Sequence, residues 1–195
     1  MKKTIFAIDG LIGAGKSTLL TKYSKQYPSI MVILEPIDKW MQSELLQNFY
    51  KDPKNWAFKL QMFIMDSFKE QLHEAFQKNI KCILMERSHL AAFTVFSYLH
   101  WKNGLLTDDE YSQLEMQHQM YDRELRQNGY IFNHIYLDIP LDVAMERMAS
   151  RNRGNEKSGV SREYQQEFID RYKELCLTPY TEEQLDQLVE KYSKY

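Results

Sequence analysis

Glycine and proline are scarce, at 7 and 5 of 195 residues. The chain therefore has no composition for long flexible or polyproline linkers, and no segment repeats at solenoid periods. That leaves one continuous domain over residues 1–195, within the size that a single core reaches. Cysteine is scarcer still: Cys82 and Cys176 are far apart and fit neither zinc nor redox spacing. Two buried, reduced thiols are expected, which suits a cytoplasmic location. No apolar run nears the ~18–20 residues needed to cross a bilayer. The lysines near the N-terminus lead into an apolar strand pattern, without a signal or transit segment. Membrane is therefore not an expected partner. Positive charge is not in excess either, since 25 Lys and Arg face 27 Asp and Glu for a net charge of −2. The field that holds proteins on a nucleic acid polymer is missing. The 5 histidines show no paired metal spacing and read as solvated or packed imidazoles.

What is present is an ordinary globular composition, 44% hydrophobic and 27% charged. Four short, mainly apolar runs, Thr4–Ile8, Ile30–Leu34, Ile80–Met85 and Ile131–Ile139, alternate with longer helical patterns. Hydrophobicity that is continuous rather than alternating marks strands covered on both faces, so an α/β fold with a doubly wound parallel sheet is expected. Helices are predicted over Ser17–Gln26, over Trp56–Gln77 with Asp52 and Pro53 opening it, and over Ala91–Trp101 and Asp108–Gln127. Leu141–Ser150 and Ser161–Leu175 follow, and the capping box Thr181-Glu-Glu-Gln184 opens one more.

The chemistry begins after the first strand. Gly10-Leu11-Ile12-Gly13-Ala14-Gly15-Lys16-Ser17-Thr18 fits G-x-x-x-x-G-K-[ST] between a strand and a helix. Glycines let backbone N–H groups curl round phosphate oxygens, and the helix N-terminus adds partial positive charge. Lys16, read as an exposed loop lysine, reaches the β- and γ-phosphates of ATP, and the Ser17 hydroxyl can ligate Mg²⁺. In parallel sheets the ligand sits beyond the carboxyl ends of the strands. Strand two ends at Glu35, a candidate general base, and strand three ends at Glu86-Arg87-Ser88. Glu86 is placed to hold Mg²⁺ with Ser17, and Arg87 to orient the acceptor or the base. The basic stretch Arg151-Asn-Arg153 opens a candidate lid over about 151–160, whose cations would meet the moving phosphoryl group.

With these motifs in place, the first 175 residues or so resemble the deoxynucleoside kinases of the multisubstrate insect and mitochondrial thymidine kinase type. The resemblance rests on Gly10–Thr18, Glu35-Pro-Ile-Asp-Lys-Trp40, Tyr50-Lys-Asp-Pro-Lys-Asn-Trp56 leading to Gln61, Glu86-Arg-Ser88, and Arg151-x-Arg153-x-x-Glu156. It implies a P-loop kinase fold with four or five strands and an arginine lid. The family's fifth strand would fall at Leu175-Cys-Leu-Thr-Pro-Tyr180, which Pro179 interrupts. By the same resemblance, Glu35 is the base for the 5′-hydroxyl, Arg87 positions it, and Tyr50 and Glu156 hold the 3′-hydroxyl. Gln61 pairs with the base edge, Trp40 and Phe96 flank the ring, and Arg151 and Arg153 contact the phosphoryl group. Ala92 falls where a relative reads the base with an acid, and Phe68 where that relative has a cation.

The function implied is ATP- and Mg²⁺-dependent phosphorylation of deoxynucleosides in nucleotide salvage, by a homodimer with Asp108–Gln127 at the interface. Tyr111, Leu114, Met120 and Tyr121 are the interface residues expected on this helix. Pyrimidines are expected ahead of purines, because an amide presents donor and acceptor side by side. The competing reading is a nucleoside monophosphate kinase such as thymidylate kinase. It is disfavoured because Glu35 would repel an acceptor phosphate. A GTP-binding switch lacks its guanine-reading motif near strand four, where Ile135-Tyr-Leu-Asp-Ile-Pro140 runs into a helix.

Overall fold

The computed structural model describes residues 2–150 and 160–194. In chain order the elements are β1 (Lys3–Asp9), α1 (Lys16–Gln26), β2 (Met31–Ile33), α2 (Ile37–Gln42), α3 (Leu45–Lys51) and α4 (Pro53–Gln77). They continue with β3 (Cys82–Glu86), α5 (His89–Ala91), a π-helical segment (Ala92–Ser97), α6 (Tyr98–Lys102) and α7 (Asp108–Gln127). After β4 (Tyr130–Leu137) come α8 (Leu141–Ser150), α9 (Arg162–Glu174), β5 (Pro179–Tyr180) and α10 (Glu182–Ser193). The sheet order is β2-β3-β1-β4-β5 and every pairing is parallel.

The reason for the uninterrupted apolar runs is visible strand by strand. Along β1, Phe6 and Ile8 point into one core and Ile5 and Ala7 into the other. On β3, Cys82 and Leu84 alternate in the same way with Ile83 and Met85. Side chains on a strand alternate between faces, so two covered faces require an apolar residue at each position. One core joins α1, α9 and α10 to the sheet, and the other joins α4 and α7. Burying one such side chain contributes about 1.5–3 kcal/mol. A truncation such as Ile83→Ala, at a residue with no exposure, would cost about 2–5 kcal/mol.

The structure departs from the sequence reading in a few places. A fifth strand exists, but it is only two residues long. Pro179 is tolerated because β5 is the sheet edge, and Tyr180 still accepts from the Asp138 N–H at 3.0 Å. Helices α2 and α3 were not foreseen. The helix expected over Ala91–Trp101 carries the π-helical segment, where Ser97 Oγ donates to the Ala92 carbonyl, five residues back, at 2.8 Å. Cys82 is buried but Cys176 is exposed, since it follows the end of α9 in the left-handed region at φ 52°. On α7, Leu114 and Tyr121 pack into the chain's own core, whereas Met116 and Met120 are the exposed apolar residues.

Candidate active site

The loop between β1 and α1 is shaped by its glycines. Gly13 has φ +90°, and a Cβ there would stand 2.2 Å from the Ala144 carbonyl oxygen of α8, so only glycine lets α8 approach. Gly15, at φ 92°, is the N-cap of α1, which has neither a side-chain cap nor an acidic residue in its first turn. By contrast, α7 and α10 each begin with a complete capping box, Thr107 with Glu110 and Thr181 with Gln184. The first-turn N–H groups of α1 therefore stay open toward the strand ends, where an anion is stabilised.

Lys16 opens α1, and it is buried rather than exposed. Its Nζ donates to the carbonyls of Leu11 (2.9 Å) and Gly10 (3.3 Å). Burial, with the charge of Arg87 adding to it, lowers its pKa to about 8. Beside it, Ser17 Oγ donates to Glu86 Oε1 at 2.7 Å, and Glu86 Oε2 accepts from the Glu35 N–H at 3.4 Å. This pairing brings the two sequence-predicted magnesium ligands together. A hydroxyl and a carboxylate are the hard oxygen donors that Mg²⁺ takes when phosphates and waters complete its shell.

Arg87 ties the strand ends into one network. It holds φ 56°, left-handed for a bulky residue. Its Nη1 donates to both carboxylate oxygens of Glu35, at 2.8 and 3.0 Å, Nη2 donates to the Gly10 carbonyl at 3.1 Å, and Nε donates to Asp9 Oδ1 at 3.1 Å. The guanidinium also lies 5.0 Å from the centre of the Phe96 ring. Burial pushes the Glu35 carboxyl above its ordinary range, Glu86 adds to the rise, and Arg87 opposes it. A single guanidinium nitrogen that meets both oxygens fixes the position of the Glu35 carboxylate.

Sequence reasoning missed the support behind this pair. Asp9, wholly buried at the end of β1, accepts from the Gly10 N–H (2.8 Å), from Arg87 and from the Tyr172 hydroxyl (2.8 Å), and His134 Nε2 stands 3.1 Å from its other oxygen. Burial alone would raise the Asp9 pKa. The His134 hydrogen bond and the charges of Arg87, His134 and Lys16 hold it well below the usual carboxylate range instead. An acid closing an apolar strand next to the first glycine is the signal that could have found it.

The remaining predicted residues are spread over α2, α3, α4 and the π-helical segment. Trp40 of α2 is buried, donates from Nε1 to Ser67 Oγ at 2.9 Å, and meets Phe68 edge-on at 5.9 Å. Phe96 packs against Phe168, ring centres 4.9 Å apart, in the other core. The two aromatics thus belong to opposite layers. Ala92 and Phe68 are buried, and Phe68 lies in the same core as Trp40. Gln61 on α4 is 2% exposed, and its Oε1 has no hydrogen-bond partner among the described residues. A buried carbonyl left so costs about 1–3 kcal/mol. Tyr50 of α3 is near Tyr164, whose half-buried phenol stands 3.3 Å from His100 Nε2 and has a pKa raised by desolvation and by Tyr50. Tyr164 and His100 were also missed. Arg151, Arg153 and Glu156 lie outside the described residues.

The deoxynucleoside kinase family model matches residues 6–193, which extends past the 175 residues covered by the sequence resemblance. The chain is 34% identical over 179 residues to the deoxyadenosine kinase of Dictyostelium discoideum, covering 89% of this chain and 67% of that protein. It is 26% identical over 173 residues to the thymidine kinase of Ictalurid herpesvirus 1 (86% and 72% covered). It is also 26% identical over 168 residues to the deoxyguanosine kinase of Bacillus subtilis (85% and 75%).

Proposed function

The chain belongs to the deoxynucleoside kinase family, and on that premise we propose that it moves the γ-phosphoryl group of ATP to the 5′-hydroxyl of a deoxynucleoside. The observation that carries this reading is the Glu35–Arg87 pair set opposite Lys16, Ser17 and Glu86 at the same strand ends. Glu35 takes the proton of the 5′-hydroxyl while Arg87 holds its carboxylate in place. The 5′-oxygen then bonds to the γ-phosphorus as the bond to the bridging oxygen breaks, and ADP leaves. Lys16 and the open first turn of α1 hold the β- and γ-phosphates. Ser17 and Glu86 would hold Mg²⁺, which neutralises phosphate charge when bound with ATP. Arg151 and Arg153 are assigned to the transferred phosphoryl group, and Tyr50 and Glu156 to the 3′-hydroxyl, all by resemblance.

The pocket reading favours pyrimidines. Gln61, buried with an unpaired Oε1, is the polar reader of the base, Trp40 and Phe96 are assigned to the ring by resemblance alone, and Ala92 leaves room for a 5-methyl group. One methyl in an apolar pocket is worth ~1–3 kcal/mol of discrimination.

The test is an ATP-dependent assay with the four deoxynucleosides and thymidylate. Thymidine and deoxycytidine are expected to give 5′-monophosphates with the highest kcat/KM, and thymidylate to give nothing. A purine deoxynucleoside that exceeds thymidine tenfold reverses the base preference and leaves the 5′-kinase reading intact. Turnover of thymidylate alone overturns the 5′-kinase reading. Salvage of nucleosides in the cytoplasm is the setting this activity fits. None of the described helices is long and apolar enough to cross a membrane. We assign the homodimer interface to the outer face of α7, where Met116 and Met120 are exposed one turn apart. Light scattering at micromolar concentration tests it, and a monomer there removes it.

A further inference from the structure

Ile12 lies in the middle of the phosphate loop, and both of its backbone hydrogen-bonding groups are taken by a single side chain. Its N–H donates to Gln165 Oε1 at 3.1 Å, and its carbonyl accepts from Gln165 Nε2 at 2.6 Å. Gln165 is on α9, 153 residues further along the chain, and is completely buried. A carboxamide that meets both groups of one residue repeats the pairing of a strand, and so fixes the rotation as well as the position of that residue. Arg147 Nη1 also reaches the loop, at the Ala14 carbonyl (3.0 Å), but its side chain is 45% exposed. Two turns along α9, the Tyr172 hydroxyl holds Asp9, which accepts from the Gly10 N–H. One helix therefore fixes both the entry of the loop and its middle.

We propose that Gln165 is a positioning residue for the donor phosphates. It acts through Ile12 and touches no reacting atom. With Ile12 held on α9, the Gly13 and Gly15 turns and the first turn of α1 keep their N–H groups aimed at one point, ready for the phosphates without rearrangement. The proposal rests on the reading of this loop as the ATP site. The buried face of α9 is Gln165, Phe168 and Tyr172. A glutamine in that apolar stripe serves packing less well than leucine would, and both ends of its amide are met by Ile12.

Two variants test it: Gln165→Leu, which removes both hydrogen bonds, and Gln165→Glu, whose protonated form restores a donor beside an acceptor. The measurements are equilibrium binding of a fluorescent ATP analogue between pH 8 and pH 5.5, steady-state kinetics in each substrate, and Tm. Gln165→Leu is expected to weaken ATP binding about tenfold or more, with the KM for nucleoside within about twofold of wild type. Gln165→Glu is expected to behave like Gln165→Leu at pH 8 and to recover toward wild type as pH falls and its carboxyl gains a proton. That recovery, taken relative to wild type at each pH and with Tm showing the variant folded throughout the series, is something a packing role would not produce. If Gln165→Leu does not fold, the pH series on Gln165→Glu decides alone. A lower Tm with unchanged ATP binding in both variants, or no recovery at low pH, overturns the proposal. Wild-type protein that binds no ATP analogue removes the phosphate-loop reading itself, and the proposal with it.

Discussion

The phosphate loop and the acceptor pocket share the strand ends but are built differently. The loop is one stretch, Gly10 to Thr18, whose shape comes from glycines in the left-handed region and from an uncapped helix start. The proposed pocket draws Glu35 from the end of β2, Trp40 from α2, Tyr50 from α3, Gln61 from α4 and Arg87 from the end of β3. Its Glu35–Arg87 pair is held by hydrogen bonds between charged groups. The difference is one of tolerance. A loop defined by conformation fails when a residue needs a conformation it cannot adopt, whereas a pocket defined by charge fails when one partner loses its proton or its counter-charge. Asp9 is where the two meet, because it receives both the Gly10 N–H and Arg87.

Removing the loop's one side-chain cation should give the largest effect. Lys16→Met keeps the buried stem and loses the charge, so turnover should fall below detection while nucleoside binding persists, as binding calorimetry with each substrate would report. Activity near wild type would leave the donor half without its cation. Glu35→Gln addresses the other half. It keeps the hydrogen bond from Arg87 to one oxygen but cannot accept the 5′-hydroxyl proton, so kcat should drop ~10²–10⁴-fold with a smaller change in nucleoside affinity. A loss under tenfold would demote Glu35 to a sugar contact.

Asp9→Asn should move both halves together, because it weakens the Arg87 and Gly10 contacts at once. Stability should fall by about 3 kcal/mol, the size of leaving a buried cation short of its counter-charge, and the KM values for both ATP and nucleoside should rise. A change confined to one substrate would show that the halves are independent and that Asp9 belongs to one of them.

The same contrast decides what the sequence could reveal. The loop was legible because its residues are adjacent and each has a local reason to be there. The middles of β1 and β3 were legible because two covered faces leave them apolar at every position, and β4 was legible from the apolar residues on either side of Asn133 and His134. The starts of α7 and α10 were legible from capping boxes. Helices α2 and α3 start at Pro36 and Glu44 without a side-chain cap, so they left no such mark. β5 is too short to carry a pattern, and the π-helical turn leaves the apolar spacing almost unchanged. Asp9, Tyr172 and Gln165 were missed because their partners are 78 to 163 residues away, and no local rule joins them. Gln61 was found by a rule that would also have found Gln165: an amide in the apolar face of a helix needs a partner, in the protein or in a ligand.

The smallest effect, and the one that separates the halves without changing the chain, is that of pH. In the free protein Lys16 has a pKa of about 8 against an ordinary 10.5, because burial disfavours its charge. Below pH 8 it is already charged when ATP arrives. Above pH 8 it is neutral until the phosphates draw a proton onto it, so binding takes up a proton and ATP affinity should fall by at most about tenfold per pH unit. Glu35 runs the opposite way. Burial raises its pKa above the ordinary 4.5, and the form that accepts the 5′-hydroxyl proton is the ionised one, so kcat/KM for the nucleoside should fall as pH drops through that raised value. The acid limb should therefore appear in kcat/KM, which reports the free enzyme, at a pH higher than a solvated glutamate would give, and should disappear in Glu35→Gln. The alkaline limb should appear in the Kd for ATP and persist in that variant. If both limbs moved together on changing Glu35, Lys16 and Glu35 would titrate as a single unit. The division into a conformational donor half and an electrostatic acceptor half would then have to be abandoned for one network centred on Arg87.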